Sequence, residues 1–380
     1  MEPQQPAMGP LPPVRPEVEC LKAYSAPLEG RRGLLRLDFN ENTVGPSPQV
    51  VEAIRAIPAD QYAVYPEYDG LGEAVVANLA ATGLGQPLTP AQIGLFNGVD
   101  AALHALFHAY GDRGETLLTT SPTFGYYTPC AQMQGMAIEA IPYRMPDFLF
   151  PLEEIRAALQ ARGSEGQSDG RAPRILLICN PNNPTGTRLA PEPILELAAA
   201  APSTLVVVDE LYEAFTGDSV LPVANFAATP NLLVLRSLAK TAGLAGLRIG
   251  FAIGSAAVVD RISRVTGPYD INSFAVTAAH AALADQPYVD GYVAEVLRAR
   301  EWLVQQLVQA GVRHHAEGGN YLLIWPDLPP GEVEQRLRDG GILVRSMAGK
   351  PLIEGSLRVS IGTTEQMRRF WAAYAAIEVR

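Results

Sequence analysis

The stretch LRSLAKTAGLAGLRIGF, residues 235 to 251, determines how the rest of the chain is interpreted. It holds a single lysine, Lys240, in largely apolar surroundings, and three glycines and Arg248 follow closely. Burial disfavours an ammonium group and lowers the pKa of a lysine, and a neutral amine forms Schiff bases with carbonyl compounds. The stretch therefore indicates a carbonyl-binding lysine, and the remaining chain has to supply the rest of the site.

Length and charge limit the class of protein. The chain has 380 residues, of which 48% are hydrophobic and 18% charged, with a net charge of −11. This length suits about two domains with a large apolar core. Nucleic-acid binding needs clustered basic residues, so the charge balance argues against a nucleic-acid partner. An anionic ligand would need a local cationic pocket, because the overall field opposes it.

The cysteines and histidines favour neither a disulfide framework nor a metal site. Cys20, Cys130 and Cys179 are far apart and show no C-x-x-C spacing, so we expect all three to be reduced and buried. His104 and His108 are four residues apart, but no glutamate lies between them as in zinc-binding helices.

The first residues, MEPQQPAMGPLPPVRPEV, are proline-rich, with proline at six of the first 16 positions. They lack the apolar core of a signal peptide, and their prolines predict a tail or arm without helix. No apolar run reaches the roughly 18 residues that a membrane span needs. We therefore expect a cytoplasmic protein.

Short apolar runs alternate with helix-like stretches such as DAALHALFHAY and PEPILELAAAA. Strand-like runs begin at Gln92, Thr116, Ala137, Arg174, Thr204, Asn231 and Arg248. Strands that are apolar throughout suit a sheet buried on both faces, so the pattern predicts a doubly wound α/β domain with a mostly parallel, seven-stranded sheet.

After about residue 275 the pattern changes to one long helical stretch followed by short strands and helices, which predicts a smaller α+β domain. We predict an N-terminal tail and arm over residues 1–45, a large domain over 46–275 and a small C-terminal domain over 276–380.

Reactive groups follow the predicted strands, where ligands of open α/β sheets bind. They comprise a glycine turn that opens a helix, an aromatic ring, an asparagine-rich turn, an aspartate with a phenol, and the lysine stretch. In this order they are Asn97–Asp100, Phe124, Asn180–Gly186, Asp209 with Tyr212, and Ser237–Arg248. An amine, an aspartate, a phenol, an aromatic plate and an anion cup match the groups of pyridoxal 5′-phosphate.

Three motifs, NPNNPTGT, DELYEAF and SLAKTAGLAGLRIGF, occur in this order and carry a specific resemblance. From LDFNEN, which begins at Leu37, to SLRVSIGT, which begins at Ser356, the chain resembles fold type I pyridoxal-phosphate-dependent aminotransferases of class I/II. The weaker motifs LKAYSAP, YPEYDGLGEAV, PTFGYY and PYDINSFA make it most similar to histidinol-phosphate aminotransferases.

The resemblance implies a role for each residue around the cofactor ring. Lys240 corresponds to the lysine that forms the Schiff base and carries the proton. Asp209 would pair with the pyridine nitrogen, Tyr212 and Asn183 would bind the phenolate oxygen, and Phe124 would stack on the ring.

The resemblance also implies how the cofactor phosphate is held. The backbone N–H groups of Val99 and Asp100 would bind it together with Ser237 and Arg248. Tyr65 would reach the phosphate in the partner subunit, which implies a homodimer.

For the substrate, the resemblance implies that Arg358 grips the anionic group, with Tyr24 and Arg345 assisting and Asn42 nearby. One departure from the family pattern is Ala239, where serine is usual. It removes one hydroxyl from the expected phosphate cup.

The expected reaction is amino transfer from histidinol phosphate to 2-oxoglutarate, a step in histidine biosynthesis. An aromatic amino acid aminotransferase is an alternative, because Arg358 can serve a carboxylate as well as a phosphate. A pyridoxal-phosphate-dependent decarboxylase of a phosphorylated amino acid is an alternative of another class. A catalytically silent domain of a transcription regulator is disfavoured, because the residues before the fold are too few and too proline-rich for a DNA-binding module.

Overall fold

The computed structural model describes residues 11–23, 29–161 and 172–378. The strands are β1 Leu35–Arg36, β2 Ile93–Phe96, β3 Thr116–Ser121, β4 Ala137–Pro142, β5 Ile175–Cys179, β6 Leu205–Asp209, β7 Leu232–Ser237, β8 Gly250–Gly254, β9 Arg313–His315, β10 Tyr321–Trp325, β11 Ile342–Leu343, β12 Arg345–Ser346 and β13 Leu357–Ser360. The helices are α1 Pro16–Glu19, α2 Pro48–Arg55, α3 Leu71–Thr82, α4 Gly98–Tyr110, α5 Tyr127–Met133, α6 Leu152–Ala161, α7 Pro191–Ala200, α8 Ala256–Ser263, α9 Ser273–Ala284, α10 Gln286–Gln309, α11 Pro330–Asp339 and α12 Thr364–Glu378.

The seven predicted strands form one central sheet in the order β2-β8-β7-β6-β5-β3-β4, which confirms the predicted α/β class. Strand β8 is antiparallel to β2 and β7, and the other neighbouring pairs are parallel. All five residues of β5 and of β6 are buried. A strand covered by helices on both faces has no polar side, which is why these runs are apolar throughout.

Side chains alternate between the two faces of the central sheet, and each face has its own core. Along β6, Val206 and Val208 pack into the cluster under α3, α7 and α9, whereas Leu205 and Val207 pack into the cluster under α4 and α8. This period of two follows from the pleat of the strand. The sheet is thereby fixed between two helical layers, with the ends of its strands free to form a site.

A second, antiparallel sheet of order β12-β13-β10-β9 packs with α10, α11 and α12 around a separate core. The short strand β1 lies far upstream in the chain, yet it pairs in parallel with β11. Leu35 and Leu37 are buried in this same core. Residues 38–42, which follow directly, are thereby held beside the second sheet.

Two expectations about the N-terminal region are wrong. Residues 16–19 form the one-turn helix α1, because Pro16 occupies the first turn, where a missing N–H costs nothing. Arg15 anchors it by donating to the carbonyl of Met133 at 2.8 Å. Cys20, which ends this helix, is exposed, whereas Cys130 and Cys179 are buried as expected.

The described part of the chain contains no helix that is both long and apolar enough to cross a bilayer.

A substitution at Gly250 tests how closely β8 approaches the start of α4. A Cβ atom at Gly250 would lie 2.7 Å from backbone atoms of Gly98 and Val99, whereas one at Gly246 would meet no atom within 4 Å. We expect Gly250→Ala to lower the free energy of unfolding by about 1–3 kcal/mol through overpacking. Gly246→Ala is the matched control and should change it by less than about 1 kcal/mol. Urea unfolding measures both, and equal effects would contradict the predicted clash.

Candidate active site

The carboxyl ends of β5, β6 and β7 and the start of α4 surround a cavity of about 130 Å³. Nine of the ten residues predicted to hold a cofactor line it, and they come from five separate parts of the sequence. These nine are Val99, Asp100, Phe124, Asn183, Asp209, Tyr212, Ser237, Lys240 and Arg248. The structure therefore brings these nine residues together around one cavity, and their roles toward a cofactor stay predictions.

A larger cavity of about 310 Å³ lies beside β7 and β8. Its buried charges are already compensated, because Arg236 is paired with both Glu210 and Glu213. Lys240 and Asp209 do not line it. The smaller cavity is the one that joins a nucleophile to an acid, so the chemistry is assigned there.

Lys240 follows β7 and points to the N-terminal segment. Its Nζ donates a hydrogen bond to the carbonyl of Phe39 at 3.0 Å. Burial, with a smaller contribution from the nearby Arg358 guanidinium, lowers the pKa of Lys240 to about 8. A substantial fraction of this amine is therefore neutral and nucleophilic slightly above neutral pH.

Asp209 lies at the end of β6 and is buried. Tyr127 donates its hydroxyl hydrogen to Oδ2 at 2.5 Å, and the backbone N–H of Leu211 donates to Oδ1 at 3.2 Å. Burial raises the pKa of Asp209 to about 6, and these two hydrogen bonds oppose the rise. A cationic group in the cavity would restore full ionisation.

Sequence reasoning missed Tyr127, although it lies in the quoted PTFGYY motif. A buried tyrosine on a helix resembles ordinary core, and only the fold shows that its hydroxyl reaches Asp209.

Tyr212 receives two hydrogen bonds at its hydroxyl oxygen. The side-chain N–H groups of Asn40 and Asn183 donate to it at 3.1 and 3.4 Å. Asn183 in turn accepts a hydrogen bond from Arg358 at 2.7 Å. The predicted pair of Tyr212 and Asn183 is therefore assembled, and Asn40 is an additional member that the sequence did not indicate.

The start of α4 and Arg248 form a cup suited to an anion. Gly98 adopts the left-handed region with φ 79°, and a Cβ atom there would lie 2.6 Å from a terminal nitrogen of Arg248. Only glycine allows this arginine to reach the helix N-terminus, where free N–H groups and the helix dipole favour negative charge. Arg248 is paired with the Asp100 carboxylate at 2.8 Å, with both side chains partly exposed.

The hydroxyl hydrogen of Ser237 does not point into the anion cup. It donates to the carbonyl of Ile249 at 3.0 Å and accepts from the backbone N–H of Ala239 at 3.1 Å. The hydroxyl would have to rotate to donate to an anion in the cup. Ala239 lines the cavity with a methyl group where the family usually has a serine.

Arg345 and Arg358 face each other on neighbouring antiparallel strands, β12 and β13. Arg358 is half-buried, and its pKa is lowered mainly by burial and partly by the positive charge of Arg345. It donates to the carbonyl of Asp38 at 2.5 Å. Its Nε finds no hydrogen-bond partner among the described residues. A buried donor without an acceptor suggests that a ligand completes the site.

Two further residues predicted for the site, Tyr65 and Asn42, do not line the cavity. Tyr65 is 71% exposed and stacks on Tyr269, with 4.2 Å between the ring centres. Asn42 caps a turn by accepting from the N–H groups of Val44 and Gly45. Tyr24 lies outside the described residues.

Asn42 also donates to the carbonyl of Thr241, the residue after the lysine, at 2.9 Å. Its substrate-binding role stays a prediction.

No cluster of three or more metal-binding side chains occurs within residues 11–23, 29–161 and 172–378.

The cavity fits pyridoxal phosphate in several independent respects. Lys240 offers an amine for its aldehyde, and Asp209 gains from a pyridinium partner. The cup at Arg248 offers donors for its phosphate. Phe124 is half-buried, lies 5.3 Å from Tyr127 between ring centres and lines the cavity with its ring.

Comparison with known families agrees with this geometry. The profile of the family "Aminotransferase class I and II" matches residues 32–373, nearly the whole chain. The chain belongs to this family, and it is a pyridoxal-phosphate-dependent aminotransferase.

Individual proteins similar to this chain include histidinol-phosphate aminotransferases and an aspartate aminotransferase. The histidinol-phosphate aminotransferase of Acinetobacter baumannii is 32% identical over 93% of this chain and 94% of its own length. The fold matches the structure of histidinol-phosphate aminotransferase from Sinorhizobium meliloti in complex with pyridoxal 5′-phosphate, with a TM-score of 0.84, 24% identity and coverage of 98% and 99% of the two chains. It also matches aspartate aminotransferase from Thermus thermophilus with maleate, with a TM-score of 0.77, 23% identity and coverage of 97% and 100%.

The titration of Lys240 is directly measurable, because the chain has only two other lysines, Lys22 and Lys350. Both of these are exposed and serve as internal references. After reductive ¹³C-methylation of the cofactor-free enzyme, we expect the Lys240 signal to titrate near pH 8. Below this pH the ammonium form is unreactive, and above it the amine is available.

Arg358→Gln should raise the Lys240 pKa, because the guanidinium disfavours the ammonium form. A Lys240 signal that titrates above about pH 10, the range of an ordinary lysine, would contradict the assignment of this residue as the buried amine.

Proposed function

We propose that this aminotransferase transfers the amino group of histidinol phosphate to 2-oxoglutarate, in histidine biosynthesis, as a cytoplasmic homodimer. The observation that carries the substrate assignment is the facing pair Arg345 and Arg358. Two guanidinium groups on paired residues repel each other, and a dianionic phosphate neutralises both, whereas a carboxylate neutralises one. The names of the 32%-identical relatives support the same substrate.

The cofactor, when bound, supplies an aldehyde for Lys240 and a ring that withdraws electrons from the reacting carbon of the substrate. Asp209 keeps a proton on the ring nitrogen. Tyr212 and Asn183 hold the phenolate oxygen, and Phe124 covers one face of the ring. The N–H groups at the start of α4, Ser237 and Arg248 hold the phosphate.

Lys240 has the properties of the proton carrier. Its pKa near 8 leaves a substantial fraction of Nζ neutral near physiological pH, and a neutral amine can accept a proton from the substrate carbon and return it.

We propose that Tyr65 serves the site of a second subunit. Tyr62, Val64, Tyr65 and Tyr269 are exposed apolar side chains, and Tyr65 stacks on Tyr269. Patches of this kind mark protein interfaces. The backbone N–H of Asn97, next to the cup, donates a hydrogen bond to the carboxylate of Asp270, the neighbour of Tyr269, at 3.0 Å. The patch and the cup are therefore physically connected.

An aromatic amino acid substrate is the second candidate. Arg358 alone suffices for its carboxylate, and the fold shared with an aspartate aminotransferase shows that the architecture does not select the substrate.

The domain boundaries are a separate matter. The division into an arm over residues 1–45, a large domain over residues 46–275 and a small domain over residues 276–380 stays a prediction.

The arginine pair separates the two substrates. Arg358→Ala should reduce kcat/KM by roughly 30- to 150-fold for both histidinol phosphate and glutamate, the loss expected for a charge-assisted contact. Arg345→Ala should harm histidinol phosphate more, because only the phosphate needs the second guanidinium. Arg338→Ala, an exposed arginine on α11, is the control and should change neither value.

Equal losses for the two substrates in Arg345→Ala would remove the case for a phosphate pocket and favour aromatic amino acids. Release of carbon dioxide in place of glutamate formation would indicate the decarboxylase alternative.

The dimer is tested by mixing two defective variants. Lys240→Ala lacks the reactive amine, and Tyr65→Ala lacks the residue proposed to act across the interface. In a mixed dimer, one site combines an intact Lys240 with an intact Tyr65 from the other subunit. We therefore expect mixing to restore tight cofactor binding and activity in about half of the sites of each mixed dimer. Activity equal to the sum of the two variants measured separately, or a monomer in sedimentation, would contradict the proposal.

A further inference from the structure

Asn40 lies in the N-terminal segment, buried and with φ 55°, in the left-handed region that few residues other than glycine, asparagine and aspartate adopt. Its backbone is held by the second sheet. The N–H donates to the Ser360 hydroxyl at 2.9 Å, and the carbonyl accepts from the Asn320 amide at 3.1 Å. The side chain is therefore presented from a fixed position.

The orientation of the Asn40 amide follows from its partners. Ser360 already accepts the backbone N–H of Asn40, and it donates its own hydrogen to Oδ1 of Asn40 at 3.0 Å. The carbonyl side of the amide thus faces Ser360. The NH₂ side faces Tyr212 and donates to its hydroxyl at 3.1 Å.

Asn183 is oriented in the same sense. Its oxygen accepts from Arg358, so its NH₂ group is the side that faces Tyr212. A tyrosine hydroxyl has two acceptor positions and one hydrogen. Since two N–H groups occupy the acceptor positions, the hydrogen of Tyr212 is left to point into the cavity that this residue lines.

We propose that Asn40 is a positioning residue that, braced by Ser360, fixes Tyr212 as a hydrogen-bond donor toward the cofactor's phenolate oxygen. The inference rests on the role proposed above for Tyr212. A donor at the phenolate oxygen draws charge from it, so the proton shared between that oxygen and the Lys240 nitrogen is held less tightly. Asn40 thereby lowers the pH at which the loaded enzyme gives up this proton.

The test is a pH titration of the visible absorption band of the cofactor-loaded enzyme, which reports this proton independently of turnover. Asn40→Asp retains the size and the backbone preference of the residue but replaces its donor with an acceptor. Tyr212 then turns its hydrogen to the new carboxylate, and we expect the pKa of the band to rise by about one unit, as for a lost hydrogen bond to a charged group.

The negative charge of the new aspartate would by itself also raise the pKa of the band. The decisive comparison therefore measures Asn40→Asp both in the wild type and in the Tyr212→Phe variant. Tyr212→Phe by itself should raise the pKa of the band. Adding Asn40→Asp to Tyr212→Phe should produce a clearly smaller further rise than Asn40→Asp produces in the wild type. Asn225→Asp, where the native oxygen accepts backbone N–H groups, is the matched control and should leave the band unchanged.

Two further variants separate the proposed effect on the pKa of the band from a loss of the fold. Asn40→Gly retains the left-handed backbone without a side chain or a charge, and Ser360→Ala removes the brace. Both should raise the pKa of the band by less than Asn40→Asp does, while thermal unfolding of the cofactor-free forms verifies that they fold.

The outcomes are distinguishable. An equal rise from Asn40→Asp with and without the Tyr212 hydroxyl would show a charge effect alone and overturn the inference. A Tyr212→Phe variant with an unchanged band would instead overturn the proposed role of Tyr212.

Discussion

The site depends on how two partly or fully buried cations are compensated when no carboxylate of the described residues forms a direct ion pair with either of them. Lys240 and Arg358 donate to consecutive backbone carbonyls, those of Phe39 and Asp38. Burial lowers the pKa of Lys240, and a carbonyl dipole offsets this less than a carboxylate would, so the amine stays reactive and the arginine stays available for an anion. A carboxylate in contact with Lys240 would form a stable ion pair and hold the amine in its unreactive ammonium form.

This compensation requires the segment that carries the two carbonyls to be rigid. Arg31 forms a bidentate pair with Asp38, and Glu41 is paired with both Arg31 and Arg36. Strand β1 joins the segment to the second sheet through β11. A short N-terminal stretch thus connects the central sheet, which provides the lysine, to the smaller sheet, which provides the arginines.

The site of the cofactor-free protein is accordingly unfavourable in several places at once. Asp209 is a buried acid with a raised pKa, Lys240 is a buried base with a lowered pKa, and the Nε of Arg358 has no hydrogen-bond partner in the part of the chain that the structure describes. Each of these costs folding free energy, and each is relieved by a ligand that brings a cation, an aldehyde or an anion to the right place.

The sequence by itself determined the central sheet and the residues at its strand ends, because buried parallel strands are continuous apolar runs and the chain leaves each of them at the same edge. The nine cavity residues were predictable for that reason. Tertiary structure alone decided which distant side chains complete them. Tyr127 reaches Asp209 across 82 positions, and Asn40 reaches Tyr212 across 172. Neither contact has a local pattern, because both depend on how separate layers pack, and the same packing left Tyr65 on the surface.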